Sequence, residues 1–435
     1  MAAFSAYRHG LWKKLLPLTP GAAIVSHQTE GEPSTVEPPA DDQLELRHVQ
    51  VIFRHGARTP ISNLYGYEGW FPTEPGFDFV CRGPTSPLVF AEAKRLYNRH
   101  YSSGLKRGDP VPRGLTGSCR PGQLTAQGRK DLAKVGSYLR QRYVDDLKFL
   151  QSEYDPQEVF VRSTDVERTL ESAVSLLENL FPTNHVTPSI SIHSLKEHDE
   201  NMYPRSSCKS LKAFKSMTLQ STLKSRNTIR EDMASEIKDV MKLGDKAGAV
   251  SRFEGLHNTY QCYLANGVRL PHSLPPSILK RIESEAVTEM QTKYGSPTAI
   301  RLAIGRFVDD LIHDLKLTAN SSVRLRLYSG HDNTVAPLLI ALESDPKNKT
   351  VGQLKRFPAF GSYIILELYQ EKGSERQWVR GVYSGQDEDL QLPGAQVNSN
   401  GRVLTELQTF FQHLNSIAIT SLQYEEECGK IPSRD

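Results

Sequence analysis

Apolar and polar positions follow two different periods along the chain, one typical of strands and one typical of helices. From about residue 46 onward, segments of the two kinds alternate. Apolar runs typical of strands lie at 46–53, 158–163, 190–193, 323–329, 362–369 and 377–384. Apolar residues at helical spacing predict helices over 125–147, 166–181, 333–343 and 403–414. Strands that alternate with helices predict an α/β fold, with a three-layer core of a mixed, mostly parallel central sheet flanked by helices.

The segment 205–315 interrupts this alternation, because its pattern is mostly helical and contains no convincing strand. We therefore expect a smaller inserted helical cap domain over 205–315, within a core formed by residues 43–204 and 316–430. Residues 1–42 are expected to form a basic leader and a linker, because residues 31–42 are rich in Pro and acidic side chains.

The composition of the leader indicates a targeting segment. Its first 29 residues contain Arg8, Lys13 and Lys14 but no acidic residue, and apolar residues lie among them. This composition predicts a mitochondrial transit peptide. A secretory signal, which would make the protein secreted or lysosomal, is an alternative, although Pro17 and Pro20 interrupt its apolar segment. The third alternative is a disordered N-terminal segment that carries no targeting signal.

Composition excludes several classes of protein. Lys and Arg number 53 and Asp and Glu 50, so the net charge of +3 over 435 residues argues against a nucleic-acid partner. No run reaches the roughly 18 apolar residues of a transmembrane segment. The 5 Cys include no CxxC pair, so we expect no structural zinc site. We also expect no cofactor. Their odd number leaves at least one free thiol, whereas their pairing and the oligomeric state are not readable from the sequence.

The chemistry-bearing motif is RHGARTP, residues 54–60, directly after the first predicted strand. Ligands of open α/β sheets bind at the carboxyl ends of strands, where this motif lies. Arg54 and Arg58 offer guanidinium forks suited to phosphate oxygens, and His55 between them can act as nucleophile or base. The tripeptide at 8–10 repeats RHG but lacks both the preceding strand and the second arginine.

RHGARTP resembles the signature of the histidine acid phosphatases, a branch of the histidine phosphatase superfamily, and the similarity extends over about residues 47–428. That family also requires a His-Asp pair after a later strand. Of the three His-Asp dipeptides, His331-Asp332 lies between a predicted strand and a predicted helix, whose N-terminus favours an anion. The resemblance further implies that Arg162, at the end of strand 158–163, is an additional phosphate-binding arginine.

The resemblance implies an acid phosphatase that hydrolyses phosphate monoesters through a phosphohistidine intermediate and without a metal. It assigns His55 as the nucleophile and Asp332 as the proton donor. The expected phosphate ligands are Arg54, Arg58, Arg162 and His331. Because Asp332 has to carry a proton in the first step, we expect activity to favour mildly acid pH.

The expected small-molecule substrate is a lysophospholipid, again by resemblance. GQLTAQG, RYVDDLKFL and DPQEVFVRST are most similar to the lysophosphatidic acid phosphatases, which release monoacylglycerol and phosphate. A broad-specificity phosphomonoesterase or phytase-like enzyme is the alternative, since it would differ only in pocket lining. A scaffold that binds phosphorylated ligands without catalysis is a minor alternative, because no residue of the motif set is missing.

A basic run at 205–230 holds seven Lys and Arg and no acidic residue. Such a run can attract anionic substrates or give peripheral contact with an anionic membrane surface. More often it is a solvated helix face. The sequence leaves these alternatives open.

Overall fold

The structure is a computed structural model that describes residues 37–61, 79–81, 119, 121–182, 190–241, 253–268, 274–318, 321–345, 350–384 and 388–430. The expectations for the leader fall almost entirely on residues 1–36, which lie outside the described residues. From Pro38 onward the described residues group into one compact unit, and their division into core and cap stays a prediction.

One mixed sheet contains the strands of the described residues. They are β1 (Leu44–Arg54), β2 (Val159–Ser163), β3 (Leu325–Gly330), β4 (Tyr363–Glu371), β5 (Gln377–Tyr383), β6 (Glu388–Asp389), β7 (Gln396–Val397) and β8 (Val403–Glu406). Their order is β2-β3-β1-β4-β5-β8-β7, with β6 paired to β5. The strand pairs β1–β3 and β2–β3 are parallel, and the other pairs are antiparallel.

The α/β class and the mixed sheet are therefore confirmed, whereas the expectation of a mostly parallel sheet is wrong. The short turn at 372–376 joins β4 to β5, and such a turn can return the chain only in the antiparallel direction. Parallel neighbours need a long crossover, and connections of this kind join β1, β2 and β3.

Helices fill the intervals between these strands. They are α1 (Ala126–Leu139), continued by a π-helix (Arg140–Asp146), α2 (Glu167–Leu180), α3 (Lys209–Ser225), α4 (Asn227–Met241), α5 (Phe253–Ala265), α6 (Pro276–Tyr294), α7 (Pro297–Leu317), α8 (Asp332–Leu342), α9 (Leu407–Ile417) and α10 (Ser421–Gly429), besides a 3-10 turn (Asp41–Gln43). The predicted helices over 125–147, 166–181 and 333–343 correspond to α1, α2 and α8.

Two predicted elements differ from the structure. The expected strand at 190–193 makes only an isolated bridge, between His193 and Arg162. The expected helix at 403–414 begins as β8, because Thr405 pairs with Val379 of β5, and becomes helical only at Leu407. Both segments are short, so pairing with a neighbouring strand decides their conformation rather than their own hydrophobic period.

Helices cover both faces of the sheet. On one face Ile52 of β1 belongs to the same buried cluster as Phe307 of α7. On the other face Val51 clusters with Leu132 of α1 and Leu177 of α2. Alternate residues of β1 therefore pack against opposite helical layers. Although α7 comes from the segment expected to be a cap, it contributes to the central core.

Disulfides join Cys81 to Cys119 and Cys208 to Cys428, and the free thiol is the buried Cys262. Within the described ranges, none of the helices combines the length and the hydrophobicity needed to cross a bilayer.

Candidate active site

The parallel strands bring three distant segments to one edge of the sheet. Arg54 of β1 lies opposite Gly330 of β3, and Ser163 of β2 lies opposite Ser329. Because the carboxyl ends of these strands coincide, the residues that follow each strand lie together. This edge carries a group of side chains that we call the cationic cluster: Arg54, His55, Arg58, Arg168, His331 and Asp332.

Measured contacts hold this cluster together. The His55 and His331 rings lie 5.5 Å apart between centroids, edge to face. The Arg54 Nη2 donates to the Asp332 Oδ2 at 2.9 Å, and the Arg168 Nη2 donates to the His331 Nδ1 at 3.3 Å. The predicted pair His331-Asp332 and the predicted motif 54–60 therefore meet, as the sequence indicates.

The loop that carries His55 is clamped against the start of α1. A Cβ on Gly56 would lie 2.1 Å from the carbonyl oxygen of Gly128, so the approach requires glycine at this position. Thr125 accepts a hydrogen bond from the Gly128 amide at 3.2 Å and donates its hydroxyl to the Ala57 carbonyl at 3.0 Å. One threonine thus caps α1 and fixes the loop.

His55 is arranged as a neutral imidazole. Its Nδ1 lies 2.9 Å from the Gly56 carbonyl oxygen, which can only accept, so Nδ1 carries the proton and Nε2 carries the lone pair. Burial, together with the positive charges of Arg168 and Arg54, holds the pKa of His55 well below its ordinary value. The ring therefore stays unprotonated and nucleophilic at mildly acid pH.

Three guanidiniums surround this imidazole: those of Arg54 and Arg58 are buried, and that of Arg168 is half-buried. The Nε–H groups of Arg54, Arg58 and Arg168 have no hydrogen-bond partner within the part of the chain that the structure describes. Burial and the nearby charge of Arg58 lower the pKa of Arg168 to about 9, so it remains a cation at neutral pH. Like charges held together in a buried site repel one another, and a bound anion with several acceptor oxygens would offset this repulsion.

Asp332 is ionised in this arrangement. Burial alone would raise the pKa of its carboxyl, but the positive charges of Arg54 and Arg58 outweigh burial and lower it. The Asp332 Oδ1 also accepts from the Asn333 amide at 2.8 Å. The expectation that Asp332 carries a proton therefore does not describe the free protein.

His331 is held from both sides of its ring. Because Arg168 donates to Nδ1, the proton resides on Nε2 and is donated to the Thr164 hydroxyl oxygen at 2.9 Å. Burial and the charge of Arg168 keep the pKa of His331 well below its ordinary value. Like His55, it is a neutral ring, so the positive charge of the cluster resides on its arginines.

Arg162 does not join the cationic cluster through its described contacts. Its Nη1 donates to the Asp310 Oδ2 at 2.9 Å, and its Nη2 donates to the Glu200 Oε1 at 2.8 Å and to the Asn201 Oδ1 at 2.6 Å. Two carboxylates thus neutralise this guanidinium. The structure thus places Arg162, an expected phosphate ligand, outside the cationic cluster, with its charge engaged by carboxylates.

Arg168 lies in the cationic cluster, where the sequence predicts Arg162. It lies in the first turn of α2, six residues after Arg162. The side chains of a short strand alternate between the two faces of the sheet, whereas the first turn of the following helix can project back over the strand ends. The signal that was missed is therefore an arginine at a helix start directly behind a parallel strand.

Two aromatic rings flank the pair of imidazoles. The half-buried Phe360 ring lies 5.7 Å from His55, and the half-buried Tyr203 ring lies 5.6 Å from His331. The Arg54 guanidinium also lies 4.3 Å from the centroid of Phe360. The surroundings of the reacting atoms thus combine cations with apolar ring surface.

The basic run at 205–230 is partly neutralised. Arg205 pairs with Glu425, and Arg226 and Arg230 both pair with Glu285. The exposed lysines of the run are Lys209, Lys212 and Lys224. Most of its charge is thus accounted for by ion pairs and by solvated lysines on the faces of α3 and α4.

Comparisons of the sequence identify relatives of this chain. Residues 45–384 match the family described as histidine phosphatase superfamily, branch 2. A Dictyostelium discoideum protein named as a probable acid phosphatase is 30% identical over 327 residues, which cover 70% of this chain and 63% of that protein. The lysophosphatidic acid phosphatase type 6 of Homo sapiens is 31% identical over 370 residues, which cover 79% of this chain and 78% of that protein.

Solved structures share the fold. The phytase of Citrobacter braakii matches with a TM-score of 0.59 at 15% identity, over 88% of this chain and 99% of that one. The apo phytase of Hafnia alvei matches with a TM-score of 0.61 at 13% identity, over 91% and 100%. The chain spans less than two thirds of the length of two Dictyostelium relatives, 63% and 66%.

Proposed function

Because the chain belongs to branch 2 of the histidine phosphatase superfamily, we propose that it hydrolyses phosphate monoesters through a phosphohistidine formed at His55. The observation that carries the proposal is the convergence of three arginines, whose buried Nε–H groups have no partner among the described residues, on a neutral imidazole whose lone pair is on Nε2. The chemistry that follows is written for a substrate phosphate placed among those arginines.

The arginines bind the transferred phosphate and stabilise its transition state. Arg54, Arg58 and Arg168 offset the negative charge that would otherwise repel an incoming nucleophile. Their positions are fixed before substrate arrives, so little reorganisation accompanies the reaction. His55 Nε2 attacks phosphorus in line with the leaving oxygen, and the P–O bond to the alcohol breaks as the N–P bond forms. Water then cleaves the N–P bond and releases phosphate.

The proton for the leaving alcohol enters with the substrate. Asp332 is ionised in the free protein because Arg54 and Arg58 lower its pKa. A phosphate monoester binds as a monoanion below its second pKa of about 6. Once the arginines face phosphate oxygens, their pull on Asp332 weakens and the carboxyl takes up that proton. Asp332 then acts as general acid and, in the second step, as general base toward water.

We propose a lysophospholipid, with lysophosphatidic acid as the probe, as the preferred substrate. The support is the 31% identity to the lysophosphatidic acid phosphatase type 6 and the ring of Phe360 beside His55, which offers apolar surface to the leaving alcohol. A broad-specificity or phytase-like phosphomonoesterase is the alternative, and the shared fold with phytases is compatible with it.

We also propose that the protein resides in an oxidising compartment. Two disulfides, Cys81–Cys119 and Cys208–Cys428, favour the secreted or lysosomal alternative over a reducing matrix. The mitochondrial alternative predicts reduced thiols in the mature protein unless it enters the intermembrane space. Mass spectrometry of the alkylated, unreduced protein from its native cell tests this, because free Cys81 and Cys208 would contradict the proposal.

A substrate panel measured with and without EDTA tests the function. We expect hydrolysis of p-nitrophenyl phosphate and a higher kcat/KM for lysophosphatidic acid than for inositol phosphates, unchanged by EDTA. Equal rates on all three would contradict the lipid substrate and leave the phosphatase assignment intact. Loss of all activity in EDTA would contradict the metal-free mechanism.

A further inference from the structure

One face of α5 touches two arginines of the cationic cluster. Asn258 and Cys262 are four residues apart, so they lie on the same side of the helix. Asn258 contacts Arg54, and Cys262 contacts Arg58. Neither residue belongs to the motif at 54–60 or to the pair at 331–332, and both lie about 200 residues away from the arginines along the chain.

Asn258 shares one nitrogen of Arg54 with Asp332. The Arg54 Nη2 donates to the Asn258 Oδ1 at 3.0 Å and to the Asp332 Oδ2 at 2.9 Å. The nitrogen carries two protons, so both are engaged, one on each oxygen. The plane of the guanidinium is therefore fixed by a neutral acceptor on one side and an anionic acceptor on the other. Its buried Nε–H has no partner among the described residues.

Cys262 fixes Arg58 by a similar arrangement. The Arg58 Nη1 donates to the Cys262 Sγ at 3.3 Å, and the thiol donates to the Asn258 carbonyl oxygen at 3.1 Å. Burial raises the pKa of the Cys262 thiol, so it keeps the proton that this second bond requires. The thiol is thus a neutral link between the backbone of α5 and the second arginine.

Both acceptors on α5 are neutral, and this matters for a site that has to bind an anion. A carboxylate at either position would cancel the charge of its arginine, as Glu200 and Asp310 do at Arg162. An amide oxygen and a thiol orient a guanidinium without removing its charge. The guanidiniums of Arg54 and Arg58 therefore keep their positive charge, and the protein rather than the ligand sets the direction of their remaining N–H groups.

We propose that Asn258 and Cys262 are positioning residues, which orient Arg54 and Arg58 for the phosphate and set how strongly Arg54 holds Asp332. This inference rests on the proposed function, since it assigns a role within the same site. It adds a part of the machinery that comes from the helical segment 205–315 rather than from the strand ends.

Steady-state kinetics on p-nitrophenyl phosphate test this proposal, with circular dichroism and the melting temperature as checks of folding. Asn258→Ala removes a hydrogen bond to a charged group, so we expect kcat/KM to fall about 10- to 100-fold. Cys262→Ala is expected to lower it about 10-fold, and Cys262→Ser to restore it to within about 3-fold, because a hydroxyl keeps both bonds. Leu264→Ala is the control and is expected to leave kcat/KM unchanged, because Leu264 is exposed and lies on the opposite side of the same helix.

The pH profile of Asn258→Asp separates a positioning role from a merely structural one. The isosteric carboxylate competes with Asp332 for Arg54 and repels its negative charge, which raises the pKa of Asp332 in the complex. The alkaline limb of kcat is therefore expected to move to higher pH, and the inhibition constant of inorganic phosphate to rise. A merely structural role would lower the rate at every pH without moving the limb.

The outcomes are distinguishable from those that concern the function itself. Wild-type kinetics in Asn258→Ala and Cys262→Ala, or an equal loss in Leu264→Ala, would overturn the positioning role. If the wild-type protein does not hydrolyse the substrate, the proposed function fails. The rise in melting temperature with inorganic phosphate then remains as the readout, and its retention in Asn258→Ala would overturn the inference.

Discussion

Arg162 and Arg168 are six residues apart, and their surroundings are opposite. Arg162 lies near the end of β2, and Arg168 lies in the first turn of α2, which follows that strand. Arg162 is buried with Glu200 and lies 2.9 Å from Asp310, so its charge is cancelled within the fold. Arg168 is half-buried near Arg54 and Arg58, and desolvation together with the charges of these two arginines lowers its pKa to about 9. One guanidinium completes an ion pair, whereas the other adds to an excess of positive charge.

The difference shows what separates a structural arginine from one that can bind phosphate. Arg162 anchors the backbone that leads to Tyr203, because Glu200 also accepts from the amides of Asn201 and Met202. Arg168 has no carboxylate among its described hydrogen bonds and contacts a histidine instead. An excess of charge that the fold does not neutralise marks the place where an anion binds.

The largest effect is expected for His55, which lies among the positively charged arginines of the cationic cluster. His55→Ala removes the nucleophile, so kcat on p-nitrophenyl phosphate should fall by about 10⁴-fold or more. The ring makes no ion pair with any residue that the structure describes, and the melting temperature should stay close to that of the wild type. Near-normal turnover in this variant would end the assignment of His55, whatever the behaviour of the arginines.

Replacing each arginine by alanine tests the comparison itself. Arg168→Ala should lower kcat/KM about 10²- to 10³-fold, since it removes a preorganised donor to the phosphate. Arg162→Ala leaves Glu200 buried without its partner, so the free energy of unfolding should fall by about 3–5 kcal/mol. Chemical denaturation and kinetics of both variants measure this. The reverse pattern, with Arg162→Ala stable and inactive, would restore Arg162 as the phosphate ligand.

Inorganic phosphate should stabilise the protein through the cationic cluster. At 100 times its dissociation constant, a ligand of the native state adds about 2.7 kcal/mol to the free energy of unfolding. The melting temperature of the wild type and of a folded Arg162 variant should both rise, whereas Arg168→Ala should show little response. An equal rise in Arg168→Ala would mean that phosphate binds elsewhere.

The smallest effect concerns pH. Above about pH 6 the substrate loses the proton that Asp332 needs, so kcat/KM should fall about 10-fold per pH unit. The lowered pKa of Asp332 keeps its ion pair with Arg54 intact at mildly acid pH, and the stability it contributes is lost only as pH falls through that lowered value. A pH–rate profile that stays flat from pH 5 to 8 would contradict this proton route.

The sequence predicted the edge of the sheet well because the order of elements determines it. Arg54 is the last residue of one parallel strand, and His55, His331 and Asp332 follow the ends of two such strands, which coincide in the sheet. The mostly parallel sheet was wrong because a hydrophobic run does not reveal the direction of its neighbour. Only the short turn after β4, read as a hairpin, carried that information.

The partners of side chains could not be predicted in the same way. Whether Arg162 meets Glu200, or Asn258 meets Arg54, depends on packing between segments 38 and 204 residues apart. No local period records such a contact. The cap of α1 is a contact of the opposite kind, because Thr125 accepts from Gly128, only three residues away along the chain.

Trapping the covalent intermediate tests the central claim most directly. The wild-type protein is mixed with p-nitrophenyl phosphate, quenched in base within milliseconds, digested and mapped by mass spectrometry. We expect phosphate on a nitrogen of His55 in amounts that approach the protein concentration, and none in His55→Ala. A burst of p-nitrophenol with phosphate on another residue, or turnover with no phosphorylated peptide at any quench time, would contradict the account.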